Sequence, residues 1–314
     1  MDIGWEGDYR ALRHEVGAAW VPRDVVRVAG PEAVAYLQGQ LSQEVEGLEV
    51  GRSAESLLLS PQGKIDALVR VTRTAGEEFL LDVDGGYGES VVGRLARFKL
   101  RTKVDIEALD WRCLAVRGPG LAEVELGPQE QAGLGVAVDW PGLTGLDLIG
   151  PHPAVPDGVP VCDPAAWEAV RVEAGIPKMG AELTERTIPA ETGLVERAVS
   201  FTKGCYTGQE LVARIDSRGS RVPRHLRGVV VEGGDTPPVG AALFAAGAEG
   251  GKELGQLTSV ALSPTLGGPV ALAYVRREIE PPADVVVRWA SGPGGGPGGP
   301  AEAPARVEAL PLVA

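Results

Sequence analysis

Cysteine and histidine are scarce in this sequence, with three residues of each among 314. Three cysteines are too few to hold an iron–sulfur cluster within one chain, because such clusters take Cys₄ ligation. Neither a Cys-x-x-Cys motif nor a histidine pair with metal-ligand spacing is present. Cys113, Cys162 and Cys205 also form no even set of closely spaced residues, so no disulfide framework is indicated. The sequence therefore predicts no metal site formed by this chain alone.

Long apolar runs are also missing. No stretch approaches the roughly 18 apolar residues that a membrane-spanning helix needs. The first residues resemble neither a secretory signal nor an Arg-rich transit peptide. We therefore predict a cytoplasmic protein without membrane association. Neither of the common glycine-rich phosphate-binding motifs occurs, so nucleotide binding by those routes is not supported.

Positive charge is in deficit overall but concentrated locally. The chain has 30 basic and 43 acidic residues, a net charge of −13, so we expect no direct nucleic-acid binding. Residues 197–227 nevertheless contain seven basic and only two acidic side chains. A solvated surface explains the second basic run, residues 94–103. The first run overlaps the only concentration of reactive residue types, and there we predict a site for an anionic ligand.

That concentration is the segment Phe201–Glu210, FTKGCYTGQE. Thr207 and Glu210 have the spacing of a capping box, so we predict that Thr207 caps a helix and Glu210 bonds back to it. Cys205 would then lie just before a helix N-terminus, where the helix dipole and Lys203 both favour a thiolate and lower the thiol pKa. The alternative is a buried structural cysteine beside an ordinary helix cap.

The order of predicted elements indicates an α+β fold. Hairpins and single helices alternate without a repeating βαβ pattern up to about residue 224, and short β runs with glycine-rich turns follow, which is typical of a small barrel. We predict two similar halves, residues 1–110 and 111–224, and a C-terminal β-barrel over residues 225–314. Within the barrel, the Gly/Pro-rich residues 291–304 are predicted to form a disordered loop, and a last strand near residues 306–313 returns to the barrel.

The segment Lys203–Glu210 resembles the signature of the YgfZ family, relatives of the glycine-cleavage T protein. Weaker likenesses to that superfamily follow in the same order along nearly the whole chain. They lie at residues 36–42, 61–66, 141–147, 171–175, 257–259 and 271–275.

The resemblance implies a T-protein-like folate-binding core of two similar halves, followed by the barrel. It implies that a reduced folate, tetrahydrofolate or a derivative, binds in a central cavity. It also implies that the protein supports iron–sulfur cluster assembly or repair in client enzymes, including enzymes that modify tRNA. Cys205 and Lys203 would carry the chemistry. The folate would be bound by Glu173, which holds the head group, and by Asp66, Tyr206, Gln209 and Arg214.

Two departures from the superfamily bear on catalysis. Where aminomethyltransferases carry an Asp-Asp pair, this chain has Asp66 and Ala67, and a Glu-Asp pair has become Leu146 and Asp147. Acid–base transfer of a methylene group would need those carboxylates. The accessory role is therefore favoured, and two alternatives stay open. One is a folate-dependent aminomethyltransferase or demethylase, and the other is a protein-interaction scaffold with a vestigial folate site.

Overall fold

Two open antiparallel sheets and one closed barrel form the architecture of the computed structural model. The structure describes residues 4–127, 133–219, 221–247, 251–290 and 301–314. No helix among these residues is long and apolar enough to cross a membrane.

The first sheet has five strands in the order β3-β4-β5-β2-β6. Its inward side chains alternate along β4, as expected for a strand with one buried face. They pack with α2 and α3 into the largest apolar core, around Phe79, Leu81 and Leu95. The strands are β2 (Arg23–Ala29), β3 (Ser53–Leu59), β4 (Ile65–Ala75), β5 (Glu78–Asp84) and β6 (Asp105–Leu109).

The second sheet has four strands in the order β1-β7-β9-β8. Its edge strand β1 comes from the N-terminal region of the chain and pairs antiparallel with β7, Ala19 opposite Ala115. The chain therefore enters the second sheet before it builds the first. The strands are β1 (Gly17–Val21), β7 (Arg112–Arg117), β8 (Leu134–Trp140) and β9 (Leu143–Gly150).

The helices connect and cover these sheets. Helix α4 begins as the sequence predicts, because the Asp163 side chain accepts a hydrogen bond from the Ala165 amide (2.7 Å) and Pro164 occupies the first turn. The helices are α1 (Glu6–His14), α2 (Ala33–Gln40), α3 (Gly88–Lys99), α4 (Pro164–Glu173), α5 (Pro189–Thr192), α6 (Val195–Ala198) and α7 (Gln209–Asp216), with a 3₁₀ turn at Pro119–Glu123.

The C-terminal barrel closes in the order β10-β13-β12-β11-β14-β15. Closure pairs β15 with both β14 and β10, so no strand edge is left open. The predicted α+β fold with a C-terminal barrel is confirmed. The strands are β10 (Arg224–Val231), β11 (Ala242–Ala245), β12 (Gly255–Ser263), β13 (Gly268–Arg276), β14 (Ala283–Trp289) and β15 (Ala301–Glu308).

The predicted disordered loop at residues 291–304 needs correction at its C-terminal end. Residues 301–304 belong to β15, with Pro304 opposite Val286 and Ala303 buried in the barrel core. The alternation of small buried and exposed residues there satisfies the strand period, which the Gly/Pro composition of the neighbouring segment obscured. Residues 291–300 lie outside the described residues.

A polar cluster joins the barrel to helix α4. The fully buried Glu182 accepts hydrogen bonds from Thr258 (2.6 Å) and Ser259 (2.7 Å) on β12. Ser259 in turn accepts from Arg171 of α4 (2.7 Å). Because these groups are buried and hydrogen-bonded, separating barrel from helix would leave several polar atoms unpaired. The barrel is therefore fixed against the helix that forms one wall of the central cavity.

Candidate functional site: the central cavity

A cavity of about 340 Å³ lies where the two sheets and helix α4 meet. This volume falls in the range of small-molecule sites, roughly 300–1,000 Å³. Two tryptophans, Trp140 and Trp167, form part of its wall. Its charged lining residues comprise six bases and four acids: Arg23, Arg70, Arg117, Arg171, Lys178, Arg197, Glu55, Asp84, Asp147 and Glu168.

Alternating arginines and aspartates run along one side of the cavity, and all of them except Asp82 line it. Arg23 of β2 donates to Asp82 (Nε to Oδ1, 2.9 Å), and Arg70 of β4 donates to the other oxygen of Asp82 (2.9 Å). Arg70 also donates to Asp147 of β9 (2.8 Å), and Asp147 accepts from Arg117 of β7 (2.8 Å). This row, Arg23-Asp82-Arg70-Asp147-Arg117, crosses from the first sheet to the second. We call it the arginine–aspartate row.

The row ends in an arginine packed against both tryptophans. The guanidinium carbon of Arg117 lies 4.7 Å from the ring centre of Trp140 and 4.9 Å from that of Trp167. The two rings are 5.0 Å apart and tilted by 51°. Planar guanidinium groups stack well on aromatic faces. The second sheet and α4 therefore meet at a cation–aromatic contact on the cavity wall.

Two carboxylates in the lining are held in their charged form. Burial alone would raise the pKa of Asp147, but the guanidinium groups of Arg117 and Arg70 outweigh it and lower the pKa to about 2. Burial opposes ionisation of Glu168 as well, yet Arg171 (2.7 and 2.8 Å) and Lys178 (2.8 Å) lower its pKa to about 2. Neither group is a good proton acceptor near neutral pH.

Glu173 is placed away from the cavity lining. Its carboxylate is fully buried and accepts hydrogen bonds from Tyr9 of α1 (2.9 Å) and Ser263 of β12 (2.5 Å). Burial raises the pKa of Glu173. In this structure its contacts link α1, α4 and the barrel, whereas Glu168, five residues earlier on the same helix, lines the cavity. The folate-binding role that the resemblance gives to Glu173 stays untested, and the cavity lining offers Glu168 as the competing candidate on the same helix.

Asp66 also lies outside the central lining. Its carboxylate pairs with Arg94 of α3 (3.0 Å), and the two line a separate surface groove. Arg94 further donates to Gln40 (3.1 Å) and to the Leu59 carbonyl oxygen (2.9 Å). Asp66 thus helps to fix the β3–β4 hairpin against α3.

The motif 203–210 lies on the surface beside the end of α2. Lys203 donates from Nζ to the carbonyl oxygens of Leu41 (2.8 Å) and Gln43 (2.7 Å). A cation in this position suits the carbonyls that follow a helix C-terminus. Burial lowers the pKa of Lys203 to about 8. Cys205 is exposed, so the buried structural cysteine of the alternative interpretation is excluded.

The predicted capping box is wrong. Helix α7 begins one residue later, with Gly208 as its N-cap at φ 84° and no side-chain cap. A Cβ at position 208 would lie 2.5 Å from the Ser60 carbonyl oxygen, so only glycine allows this close approach to the hairpin. The Thr207 amide is instead bonded to the Gly39 carbonyl oxygen (3.1 Å).

The remaining predicted binding residues lie within the motif or on the helix that follows it, and none of them lines the cavity. Tyr206 is buried in the largest apolar core, the one beneath the five-stranded sheet. The Gln209 side chain accepts a hydrogen bond from the Tyr206 amide (3.1 Å), and Arg214 is exposed on α7. The predicted residues therefore form three groups: the motif region, the Asp66 groove and the buried Glu173 cluster.

Sequence reasoning missed the cavity lining. Its charges are spread over six strands (β2, β3, β4, β5, β7 and β9), the helices α4 and α6 and the loop after α4, one or two to an element, so no local motif marks them. One signal was available: Asp82 and Asp147 interrupt the apolar runs of β5 and β9. Charged residues at inward strand positions are rarely tolerated without partners.

Comparisons with known proteins agree with this architecture. Residues 224–292 match the family described as "Glycine cleavage T-protein C-terminal barrel domain". An aminomethyltransferase of Thermus thermophilus is 30% identical over 310 residues, covering 90% of this chain and 85% of the relative. The chain belongs to the glycine-cleavage T-protein superfamily.

A second related sequence and one solved structure extend the comparison. An "uncharacterized protein" of Haemophilus influenzae is 30% identical over 201 residues, covering 62% of this chain and 67% of the relative. The crystal structure of the glycine cleavage system aminomethyltransferase T from Bartonella henselae superposes with a TM-score of 0.78 at 23% identity, covering 98% of this chain and 89% of that one. This second likeness supports the fold.

The ion pairs of Asp147 predict a defined acid dependence of stability. The folded-state pKa of Asp147, about 2, lies below its ordinary value of 3.8. The stability that Asp147 contributes is therefore present above about pH 4 and is lost as the pH falls towards 2. Asp147→Asn should lower the free energy of unfolding near pH 5 by roughly 2 kcal/mol or more, because it leaves two buried guanidinium groups underpaired.

This deficit should shrink by about 1 kcal/mol between pH 5 and pH 3, since wild type loses that part of the stabilisation on acidification. Urea unfolding of both proteins at the two pH values measures it. A deficit of the same size at both pH values would contradict the ion-pair account of Asp147.

Exposure predicts the order in which the cysteines react. Cys113 and Cys162 are buried, and burial raises the pKa of both thiols, that of Cys162 to about 11. Cys205 is exposed, so we expect it to be alkylated fastest at neutral pH, because alkylation needs an accessible thiolate. Mass-spectrometric rates with iodoacetamide measure this order. If Cys205 reacts most slowly, its thiol is not accessible in solution and its proposed role on the protein surface is contradicted.

Proposed function

We propose that this protein binds tetrahydrofolate or a derivative in the central cavity and acts as a YgfZ-like accessory protein for iron–sulfur enzymes. The observation that carries the folate part is the cavity itself, which combines two indole walls with an excess of basic side chains. A pteridine ring is flat and suits aromatic walls. The glutamate end of a folate is anionic and suits the two more exposed basic side chains of the lining, Lys178 and Arg197.

The protonation state of the cavity favours binding over aminomethyl transfer. A general base must be able to accept a proton, and efficiency is best when its pKa lies near the working pH. Asp147 and Glu168 have pKa values of about 2. Asp84 is paired with Arg23 (2.6 Å) and also accepts from the Met179 amide (2.8 Å), while Glu55 is paired with Arg197 (2.7 Å). All four lining carboxylates are thus occupied by cationic partners.

The motif Lys203–Glu210 supports the YgfZ-like part of the proposal. Its cysteine is exposed on the outside of the molecule, while the folate cavity lies between the sheets. An exposed thiol is accessible to another protein. We therefore propose that Cys205 serves iron–sulfur client or assembly proteins, including tRNA-modifying enzymes, with Lys203 holding its loop in place.

The alternative with specific support is a folate-dependent aminomethyltransferase. Several relatives carry that name, and the Thermus thermophilus relative covers nearly the whole chain at 30% identity. The ion-paired carboxylates are the reason to rank it second. A scaffold with a vestigial folate site ranks third, because the cavity retains both its volume and its charged lining.

Folate binding is tested by isothermal titration with tetrahydrofolate, comparing two substitutions of the same kind on α4. Glu168 lines the cavity and Glu173 does not, although sequence resemblance assigns Glu173 the folate. We expect wild type to bind. Glu168→Gln should weaken binding by about tenfold or more, because it removes the charge that holds Arg171 and Lys178 in position. Glu173→Gln should bind within about twofold of wild type.

A loss of affinity confined to Glu173→Gln would instead support the role that the resemblance gives to Glu173. No heat of binding with wild type would contradict the folate proposal. Production of methylenetetrahydrofolate in a reconstituted glycine-cleavage assay would favour the aminomethyltransferase alternative.

The iron–sulfur role is tested in cells that lack the protein. Cys205→Ser should fold normally, since an exposed sulfur contributes little packing, yet it should fail to restore the activity of iron–sulfur enzymes. Cys162→Ser, matched in chemistry but buried, serves as the control and should restore activity if it folds. Full rescue by Cys205→Ser would remove Cys205 from the function.

A further inference from the structure

A hydrogen-bond donor in the cavity wall has no acceptor among the described residues. Arg117 is 1% exposed, and within the described part of the chain its Nε has no hydrogen-bond partner. Its Nη1 is satisfied by Asp147 (2.8 Å) and the Val116 carbonyl oxygen (3.0 Å). Leaving a buried donor unpaired costs roughly 1–3 kcal/mol, so such groups call for a specific explanation.

The surroundings of Arg117 are shaped to hold its side chain in this position. Gly145 lies opposite Arg117 in the β7–β9 pairing. A Cβ at position 145 would lie 2.5 Å from the Arg117 Cδ and 2.7 Å from Nη1, so the side chain occupies space that only a glycine leaves free. Trp140 and Trp167 pack against the guanidinium group, and Asp147 fixes its end. The side chain is therefore immobilised before any ligand arrives.

Other unpaired buried guanidinium nitrogens differ from this one in their location. Both terminal nitrogens of Arg13 and the Nε of Arg227 also lack hydrogen-bond partners among the described residues, but neither residue lines the central cavity. Arg197 lines the cavity, but its Nε is 2.7 Å from Glu55. Arg117 thus combines an unpaired donor, nearly complete burial, a fixed orientation and a place in the cavity wall.

We propose that Arg117 is a ligand-binding residue whose Nε–H donates a hydrogen bond to an acceptor of the folate bound in the central cavity. The inference rests on the proposed function and adds to it a binding residue outside the motif. Folates offer ring-nitrogen, carbonyl and carboxylate acceptors, any of which can accept from a guanidinium group. Because the donor is already desolvated and oriented, the bond forms without the usual ordering cost of an arginine side chain.

The test compares Arg117→Lys with Arg224→Lys by titration with tetrahydrofolate. Arg224 is a matched control outside the cavity lining: its guanidinium carbon lies 4.4 Å from the Tyr274 ring centre, and it pairs with Glu191 (3.1 Å). Lysine keeps the positive charge at both positions but lacks the Nε–H. We expect Arg117→Lys to raise the Kd about ten- to hundredfold, the range for a charged hydrogen bond. Arg224→Lys should stay within about twofold of wild type.

A second variant keeps Arg117 in the sequence but moves its side chain. Gly145→Ala should push the Arg117 side chain from its position, so we expect a comparable loss of affinity with both Arg117 and Asp147 retained. Melting temperatures without ligand show that each variant is folded. Should Arg117→Lys not fold, Gly145→Ala carries the comparison alone.

The outcomes separate this inference from the function on which it rests. Wild-type affinity in Arg117→Lys, or an equal loss in Arg117→Lys and Arg224→Lys, overturns the inference while folate binding stands. Absence of binding to wild type overturns both. Where Arg117→Lys does not fold, wild-type affinity in Gly145→Ala overturns the inference.

Discussion

The arginine–aspartate row is the interaction on which the cavity depends. It places five charged side chains between two sheets, and each aspartate is shared by two arginines. Buried ion pairs are rarely stabilising compared with apolar packing, but removing one partner leaves an uncompensated charge. The row therefore fixes how the two sheets meet at the cavity.

Helix α4 connects this arrangement to the barrel and to α1. Helix α4 contributes Trp167, Glu168 and Arg171 to the cavity, and it is tied to the barrel through Ser259 and Glu182. Its C-terminal residue Glu173 is bonded to α1 and to the barrel strand β12. One helix thus couples the first residues of the chain, the barrel and the site. The exposed motif around Cys205 is anchored separately, on the end of α2.

The sequence predicted those features that local patterns encode. The α+β order, the barrel and the start of α4 follow from periodicity and helix caps. The cavity lining could not be predicted in this way, because Arg70 and Asp147 meet only through the packing of two sheets. The start of helix α7 was predicted incorrectly for a local reason. Thr207 has the spacing of a capping box, but the close contact of Gly208 with the β3–β4 hairpin places the helix start at the glycine.

Folate binding in the central cavity is tested most directly by a crystal structure of the protein grown with a saturating concentration of a reduced folate. We expect electron density for the pteridine ring in the cavity beside Trp140 and Trp167, with an acceptor atom within about 3 Å of the Arg117 Nε. We also expect the arginine–aspartate row to be unchanged by the ligand. An empty cavity at saturating ligand, or folate bound at the Asp66 groove or the Cys205 surface instead, would show that the cavity is not the folate site.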